Sequence, residues 1–195
     1  SYNTTCTLYV RYAETNTAYA SEPTTVEVSI GKEPQPMPTI TLGEITADSI
    51  SFTINEGAEY SLDQQTWTSA TTVTLDNLEY DLDYIIYARF PETDTLAESP
   101  ITSVTAHTVD KSGLYNADNE LVMTWQELMD NDYITVAGST LSSDTNIKTM
   151  SGNLLVSKKI TTIADKTFLD CTTLTGITLP RVQKIGQYAF QRCSG

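Results

Sequence analysis

The chain has 195 residues, enough for one to two domains of ordinary size, and a formal net charge of −14 from 25 acidic against 11 basic residues. So few cations exclude a nucleic-acid glove or an anionic-membrane binder, which need a basic face, and no stretch approaches the ~18 uninterrupted apolar residues of a membrane span. Threonine at about one residue in six, with 39% apolar and 18% charged residues, describes a β-prone, neutral-polar chain that is neither disordered nor a coiled coil.

The first signal in chain order is an internal repeat: residues 2–18 match residues 80–96 at a constant shift of 78. Leu8-Tyr9-Val10-Arg11-Tyr12 lies on Ile86-Tyr87-Ala88-Arg89-Phe90, and Glu14-Thr15-Asn16-Thr17 on Glu92-Thr93-Asp94-Thr95. Both copies alternate as strands do, so Cys6, Leu8, Val10 and Tyr12 share one face, as do Tyr84, Ile86, Ala88 and Phe90. The opposite face, Tyr9/Arg11 and Tyr87/Arg89, reads as cross-strand packing or a contact patch, and arginine stacking on tyrosine alone would explain it. Residues 1–30 correspond to the end of such a unit only, and because a two-strand remnant cannot close a core, the first expectation is a segment cut from a longer chain and the second is strands that complete a sheet in a neighbour. Residues 31–38, with Pro34, Pro36 and Pro38, are expected to be a semi-stiff linker holding modules apart.

Residues 39–108 read as one complete unit, with β-rich runs at 39–42, 49–54, 59–62, 66–68, 71–75, 84–90 and 102–108 separated by turn residues. Short strands at that spacing predict a β-sandwich. Leu78-Glu79-Tyr80-Asp81-Leu82-Asp83-Tyr84 resembles the approach to the tyrosine corner of fibronectin type III domains, and Tyr60-Ser61-Leu62-Asp63 resembles a hairpin of type III-like modules in bacterial surface proteins. The resemblance implies a fibronectin type III/Ig-like fold with Tyr84 at the corner. The chain departs from it where Tyr80 stands in place of proline, where residues 49–54 lack tryptophan, and where Cys6 replaces the corner tyrosine.

Residues 109–150 are expected to connect and cap. Gly113–Met123 reads as a hairpin, and Thr124-Trp125-Gln126-Glu127 as a capping box opening a short helix that reaches Asp130. From Ile160 the period changes: Ile163, Ala164, Phe168 and Cys171 recur 22 residues later as Ile185, Gly186, Phe190 and Cys193. A unit this short cannot bury its own apolar face and must stack on neighbours. Between the copies, Leu174–Pro180 reads as a strand, and a fainter step begins at Gly152. Leu-Thr-Gly-Ile-Thr-Leu-Pro followed by Ile-Gly-Gln-Tyr-Ala-Phe-Gln-Arg-Cys closely resembles the BspA-like leucine-rich repeats of bacterial surface proteins. The fold class expected is therefore mainly β, one or more type III-like sandwiches followed at 151–195 by the start of a leucine-rich-repeat solenoid. The stack ends with no polar cap, again as expected of a cut chain.

No residue pattern points to catalysis. His107 stands alone on a terminal strand, and no serine or cysteine has a nucleophile signature. Cys171 and Cys193, one per step, read as a buried ladder of small apolar groups rather than metal ligands, which would come as short-spaced pairs. Asp118, Glu120, Asp130 and Asp132 lack the spacing of a calcium loop and read as solvated turns. The reading is a non-enzyme with no catalytic residue, metal or cofactor. Its acidic, threonine-rich, lysine-poor composition fits a secreted or cell-surface bacterial protein. Resemblance to both families implies adhesion or protein binding, with sandwiches as spacers. Host or neighbouring-cell proteins or glycans are the expected partners, without nucleic acid or membrane insertion. The candidate contact residues are Thr175, Gly176 and Thr178 on the solenoid's strand face, and Glu92, Thr93 and Thr95 in the loop between the last two sandwich strands. The alternatives are an accessory, carbohydrate-binding or spacer region of a large secreted enzyme, and a structural phage-fibre module.

Overall fold

The computed structural model describes residues 4–194, and these are mainly β, with several sheets and very little helix. Contacts divide the chain into two compact units. One holds the chain through Glu44, Ile50–Leu75 and Tyr84–Ala106; the other holds Ile45–Ser49, Asp76–Asp83 and the chain from His107 on.

In the first unit, β1 (Thr4–Val10) and β2 (Thr24–Ile30) form an antiparallel ribbon in which Cys6 pairs with Val28 and Leu8 with Val26. Every residue of both strands is exposed, so ladder hydrogen bonds and cross-strand pairs hold the ribbon in place of a core. The proline-spaced segment that follows does not run free. Prolines have no N–H to donate, and the residues between them make the contacts instead. Lys32 pairs with Glu92 at 2.5 Å and donates to the Thr93 carbonyl. The Glu33 N–H donates to Thr95 and its carbonyl accepts from Ala97, while Gln35 Nε2 donates to the carbonyls of Pro91 and Ala97. Pro38 is buried.

Next come β3 (Ile40–Ile45), β4 (Ile50–Ile54), β5 (Glu59–Ser61), β6 (Thr68–Ser69), β7 (Thr72–Leu75), β8 (Asp83–Arg89) and β9 (Thr102–His107). They form two sheets, ordered β3-β4-β7 and β6-β5-β8-β9, close to the runs read from the sequence. Alternation turns Ile50, Phe52 and Ile54 of β4, Val73 of β7 and Ile86 and Ala88 of β8 inward, and all are buried together with Ala58 and Ala106. Phe52 meets Tyr60 edge-on across the sheets, ring centres 5.3 Å apart. Each large side chain fully buried in this way contributes roughly 1.5–3 kcal/mol. The β5–β6 hairpin closes on Asp63, whose Oδ1 accepts from the N–H groups of Gln65 and Thr66 and from the Ser61 hydroxyl; these bonds hold its carboxyl at about 2.

The second unit contains β10 (Gly113–Tyr115), β11 (Leu121–Thr124), α1 (Trp125–Asp130), β12 (Ile134–Ala137), β13 (Thr140–Ser143), β14 (Gly152–Leu155), β15 (Thr162–Ile163), β16 (Leu174–Thr178) and β17 (Lys184–Ile185). The capping box forms as the sequence predicts: Thr124 Oγ1 accepts from the Glu127 N–H, and Glu127 Oε2 accepts from the Thr124 N–H. Two sheets, β11-β10-β14-β16 and β12-β13-β15-β17, are extended by parallel pairing. Leu141, Ile163 and Ile185 line up at successive 22-residue steps, so the ladder already includes the β13 hairpin within the 109–150 stretch read as connecting and capping.

Each step fills the interior of its neighbour. Leu141, Leu154, Ile160, Ile163, Phe168 and Cys171 are fully buried, and Phe168 stacks on Phe190 with ring centres 5.2 Å apart and planes 8° from parallel. The Phe168 N–H donates to the Ala189 carbonyl and the Gly186 N–H to Ile163. Backbone geometry recurs as well: Lys166 and Asp170 have φ of 59° and 62°, and Tyr188 and Arg192, one step on, have 59° and 61°. Repeated left-handed non-glycine residues of this kind, costing about 1–3 kcal/mol each, persist only where the surroundings over-determine them. Each cysteine thiol donates to a carbonyl of the preceding step, Cys171 to Ile147 at 3.6 Å and Cys193 to Phe168 at 3.0 Å. Cysteine suits these places because it is small and apolar yet carries a weak donor.

Candidate functional site

The site is built on the outer face of β10, β14 and β16. Leu114, Leu154 and Ile177 point into the core of the second unit. Alternation therefore leaves Tyr115, Asn153, Leu155 and Thr178 outside. Register explains a feature that simple alternation along Leu174–Thr178 does not. Gly152 pairs with Leu174 but Asn153 pairs with Gly176, so Thr175 is the extra residue of a bulge. The bulge lets both Leu174 and Ile177 face inward, which an uninterrupted strand would forbid.

Two glycines make the face possible. Gly152 has φ +120°, and a Cβ there would lie 2.2 Å from the Tyr115 carbonyl oxygen, so only glycine lets β14 approach β10 this closely. A Cβ on Gly176 would fall 2.7 Å from Asn153 Oδ1. That space holds the Asn153 carboxamide, which accepts from Thr175 Oγ1 at 3.0 Å. Lys111, Tyr115, Asn119, Asn153, Leu155 and Thr178 then surround a shallow cavity of about 310 Å³. Tyr115 is fixed by donation from its hydroxyl to the Lys111 carbonyl, and burial raises its phenol above the usual range. Asn119 sits in a turn held by Asn116 Oδ1, which accepts from the N–H groups of Asp118 and Glu120. The cavity thus offers carboxamides, a hydroxyl, an ammonium and an aromatic ring, a set suited to hydrogen-bonded recognition.

Of the residues predicted from sequence, Thr175, Gly176 and Thr178 come together here. Thr178 lines the cavity, Thr175 orients Asn153, and Gly176 leaves room for it. Glu92, Thr93 and Thr95 lie in the first unit and hold the proline-spaced segment through Lys32 and Glu33; Thr93 Oγ1 also accepts from the Leu96 N–H within its own turn. Sequence reasoning missed Lys111, Tyr115, Asn119 and Asn153. Asn153 lies one 22-residue step before Thr175, which was the available signal for it. The other three come from an irregular stretch with no repeat to mark them.

The remaining titratable groups do other work. Cys171 is pushed up to about 11, by burial first and then by Cys193, and is a neutral thiol at ordinary pH. His107 bridges two carboxylates, Nδ1 to Asp83 at 2.7 Å and Nε2 to Asp81 at 3.2 Å, and hydrogen bonds to Asp83 and then Asp81 raise its pKa. Asp81, whose side chain is almost fully covered, also meets Lys159 at 3.4 Å. The ammoniums of Lys158 and Lys111 lie 4.0 and 5.0 Å from the centre of the Tyr80 ring. Lys158 further pairs with Glu79 and donates to the Tyr80 carbonyl, while Thr108 Oγ1 donates to the Glu79 and Leu82 carbonyls. In the first unit Arg89 stacks on Trp67 at 4.0 Å, not on a tyrosine as the sequence suggested, and reaches Glu59 and Glu98. Among the described residues no three histidine, cysteine or carboxylate side chains converge as a metal would need, and no helix is long and apolar enough to cross a membrane.

No family model matches this chain, and neither does any curated protein. Among solved structures it is similar to the FN1–FN3 domains of chicken CNTN1, with 14% sequence identity and a TM-score of 0.30 over 47% of this chain and 36% of that one. The chain thus spans little more than a third of the length of the structure it matches.

Proposed function

We propose that this chain is a non-enzymatic recognition segment of a secreted or cell-surface bacterial protein, with type III-like sandwiches as spacers and a leucine-rich-repeat stack carrying the contact face. The observation that supports this reading is the division of labour in β14 and β16. Their inward residues are consumed by the core, while Asn153, Leu155 and Thr178 stand outside it around a cavity of mixed polar and apolar lining, with Thr175 orienting Asn153. Residues outside the core can vary without loss of fold, which is what a recognition surface requires. The 22-residue step with its Phe and Cys positions supports the resemblance to BspA-like repeats, and the paired antiparallel sheets of residues 40–107 support the type III-like reading. Partners on this reading are proteins of a host or neighbouring cell.

The amides and hydroxyl of the cavity favour a second reading, an accessory glycan-binding region of a larger secreted enzyme. One experiment separates them: the full chain is applied to an array of host-surface proteins and glycans beside an Asn153→Ala/Thr178→Glu variant. Binding to a protein that the variant loses supports the first reading. Binding to polysaccharide alone, lost in the variant, supports the second. Binding unchanged in the variant removes this face from both.

A further inference from the structure

The ribbon of β1 and β2 shares its strand positions and four loop hydrogen bonds with a substructure that has a fixed place in the sandwich. At the 78-residue shift β2 falls on β9 and β1 on β8, and the loops between them agree in detail. The Thr15 N–H donates to Ala18 at 2.9 Å, and the Thr93 N–H to Leu96 at 3.0 Å. Ser21 Oγ accepts from the Tyr12 N–H and donates to the Glu22 carbonyl; Ser99 Oγ accepts from the Phe90 N–H and donates to the Pro100 carbonyl.

What differs is the covering. In the sandwich, Ile86 and Ala88 are 0% exposed and Ala106 is 1% exposed. Their counterparts Leu8, Val10 and Val28 are 50%, 58% and 36% exposed. The ribbon is nonetheless two-faced. Ladder partners share a side, so Cys6 with Val28, Leu8 with Val26, Val10 with Thr24 and Ile30 with Thr4 form one face, apolar along its middle with a threonine at each end. Thr5, Thr7, Tyr9, Thr25, Glu27 and Ser29 form the polar one. An amphipathic sheet with its apolar side uncovered marks an interaction surface.

We propose that this apolar face is half of a second sandwich core, and that its partner is a β-sheet of the design of β3-β4-β7, supplied by polypeptide placed ahead of β1 as β3 to β7 lie ahead of β8. The occupant's chemistry follows from the copy that is covered. It presents an alternating Ile-x-Phe-x-Ile strand and a valine, as Ile50, Phe52, Ile54 and Val73 do. It also adds a strand beside β1, as β5 pairs with β8, with an acid placed to meet Arg11 as Glu59 meets Arg89.

Cys6 is an exposed thiol on the apolar face and reports its coverage. The test compares the full chain with a version carrying a second copy of residues 38–78 directly ahead of Ser1, the junction dictated by the 78-residue shift. Alkylation of Cys6 is followed by peptide mapping, and amide exchange is followed across residues 4–30. In the extended chain Cys6 alkylation slows at least about tenfold and the amides of Leu8, Val10, Val26 and Val28 become protected. Leu8→Asp or Phe52→Asp in the added copy abolishes that protection, while Tyr9→Asp, on the polar face, leaves it. Undiminished Cys6 reactivity in the extended chain overturns the proposal. So does an added copy that stays unfolded by its own amide exchange, because complementarity is the claim. A concentration-dependent dimer of the unextended chain with Cys6 protected overturns it in favour of a second copy as the occupant.

Discussion

The chain repeats itself at two scales, and the repeats bury their apolar residues in opposite ways. At the 78-residue scale the complete unit has a core of its own: residues 40–107 close two sheets on Ile50, Phe52 and Ile86, while the matching ribbon has the same alternation and no core. At the 22-residue scale no step has a core of its own. Phe168 is buried against Phe190, the Ile163 carbonyl accepts from Gly186, and each cysteine binds a carbonyl of the step before. Sequence similarity between repeats therefore has different energetic meaning at the two scales. In the sandwich, equivalent residues have independent fates. In the stack, damage to one step is damage to its neighbours.

The sharpest test of that difference is Phe168→Ala. Removing a fully buried ring whose partner sits one step away should cost about 3–5 kcal/mol and expose Phe190 as well, read by urea unfolding with amide exchange resolved by step. A loss of protection confined to residues near 168 would break the idea of a shared interior. Next, Ile86→Ala in the sandwich should cost about 2–5 kcal/mol, whereas Leu8→Ala at the equivalent ribbon position should stay within about 0.5 kcal/mol. Equal effects would mean that the two copies are in the same environment.

Smaller effects belong to the chain between the repeats. Thr124→Ala removes the cap of α1 and one half of its capping box, and should cost about 1 kcal/mol by thermal or urea unfolding; Thr124→Ser should restore most of it. The smallest effect is pH-linked. His107 has its folded pKa raised above the ordinary 6.5 by Asp83 and Asp81, so its contribution is fully present below 6.5 and is lost as pH rises through the raised value. The wild type should thus lose stability relative to His107→Ala on going from acidic to mildly alkaline pH, with unfolding midpoints as the readout. An opposite slope would show that the aspartates do not hold the imidazolium.

Strand positions in residues 39–108 were legible because alternation, turn residues and length agree at each of them. The capping box was legible because its chemistry is local. The hairpin of β12 and β13 was not recognised as part of the ladder, since its Leu141 lacks the Phe and Cys that mark later steps and only parallel pairing with Ile163 reveals it. The candidate site was half legible. Thr175, Gly176 and Thr178 follow from the repeat, but Lys111, Tyr115 and Asn119 reach the same cavity through a hairpin that has no period.

By itself the amino-acid order determined the β character, the two periods and which residues share a side of each strand, because side-chain direction is a property of the local backbone. Only the tertiary structure decided which of those sides is covered. Ile86 and Leu8 stand at the same place in the same pattern, and one is buried and the other is not. It also decided where register slips, as at Thr175, because a bulge answers to the strand beside it. Burial and register are set by what packs across from a residue, and that is written elsewhere in the chain than at the residue itself.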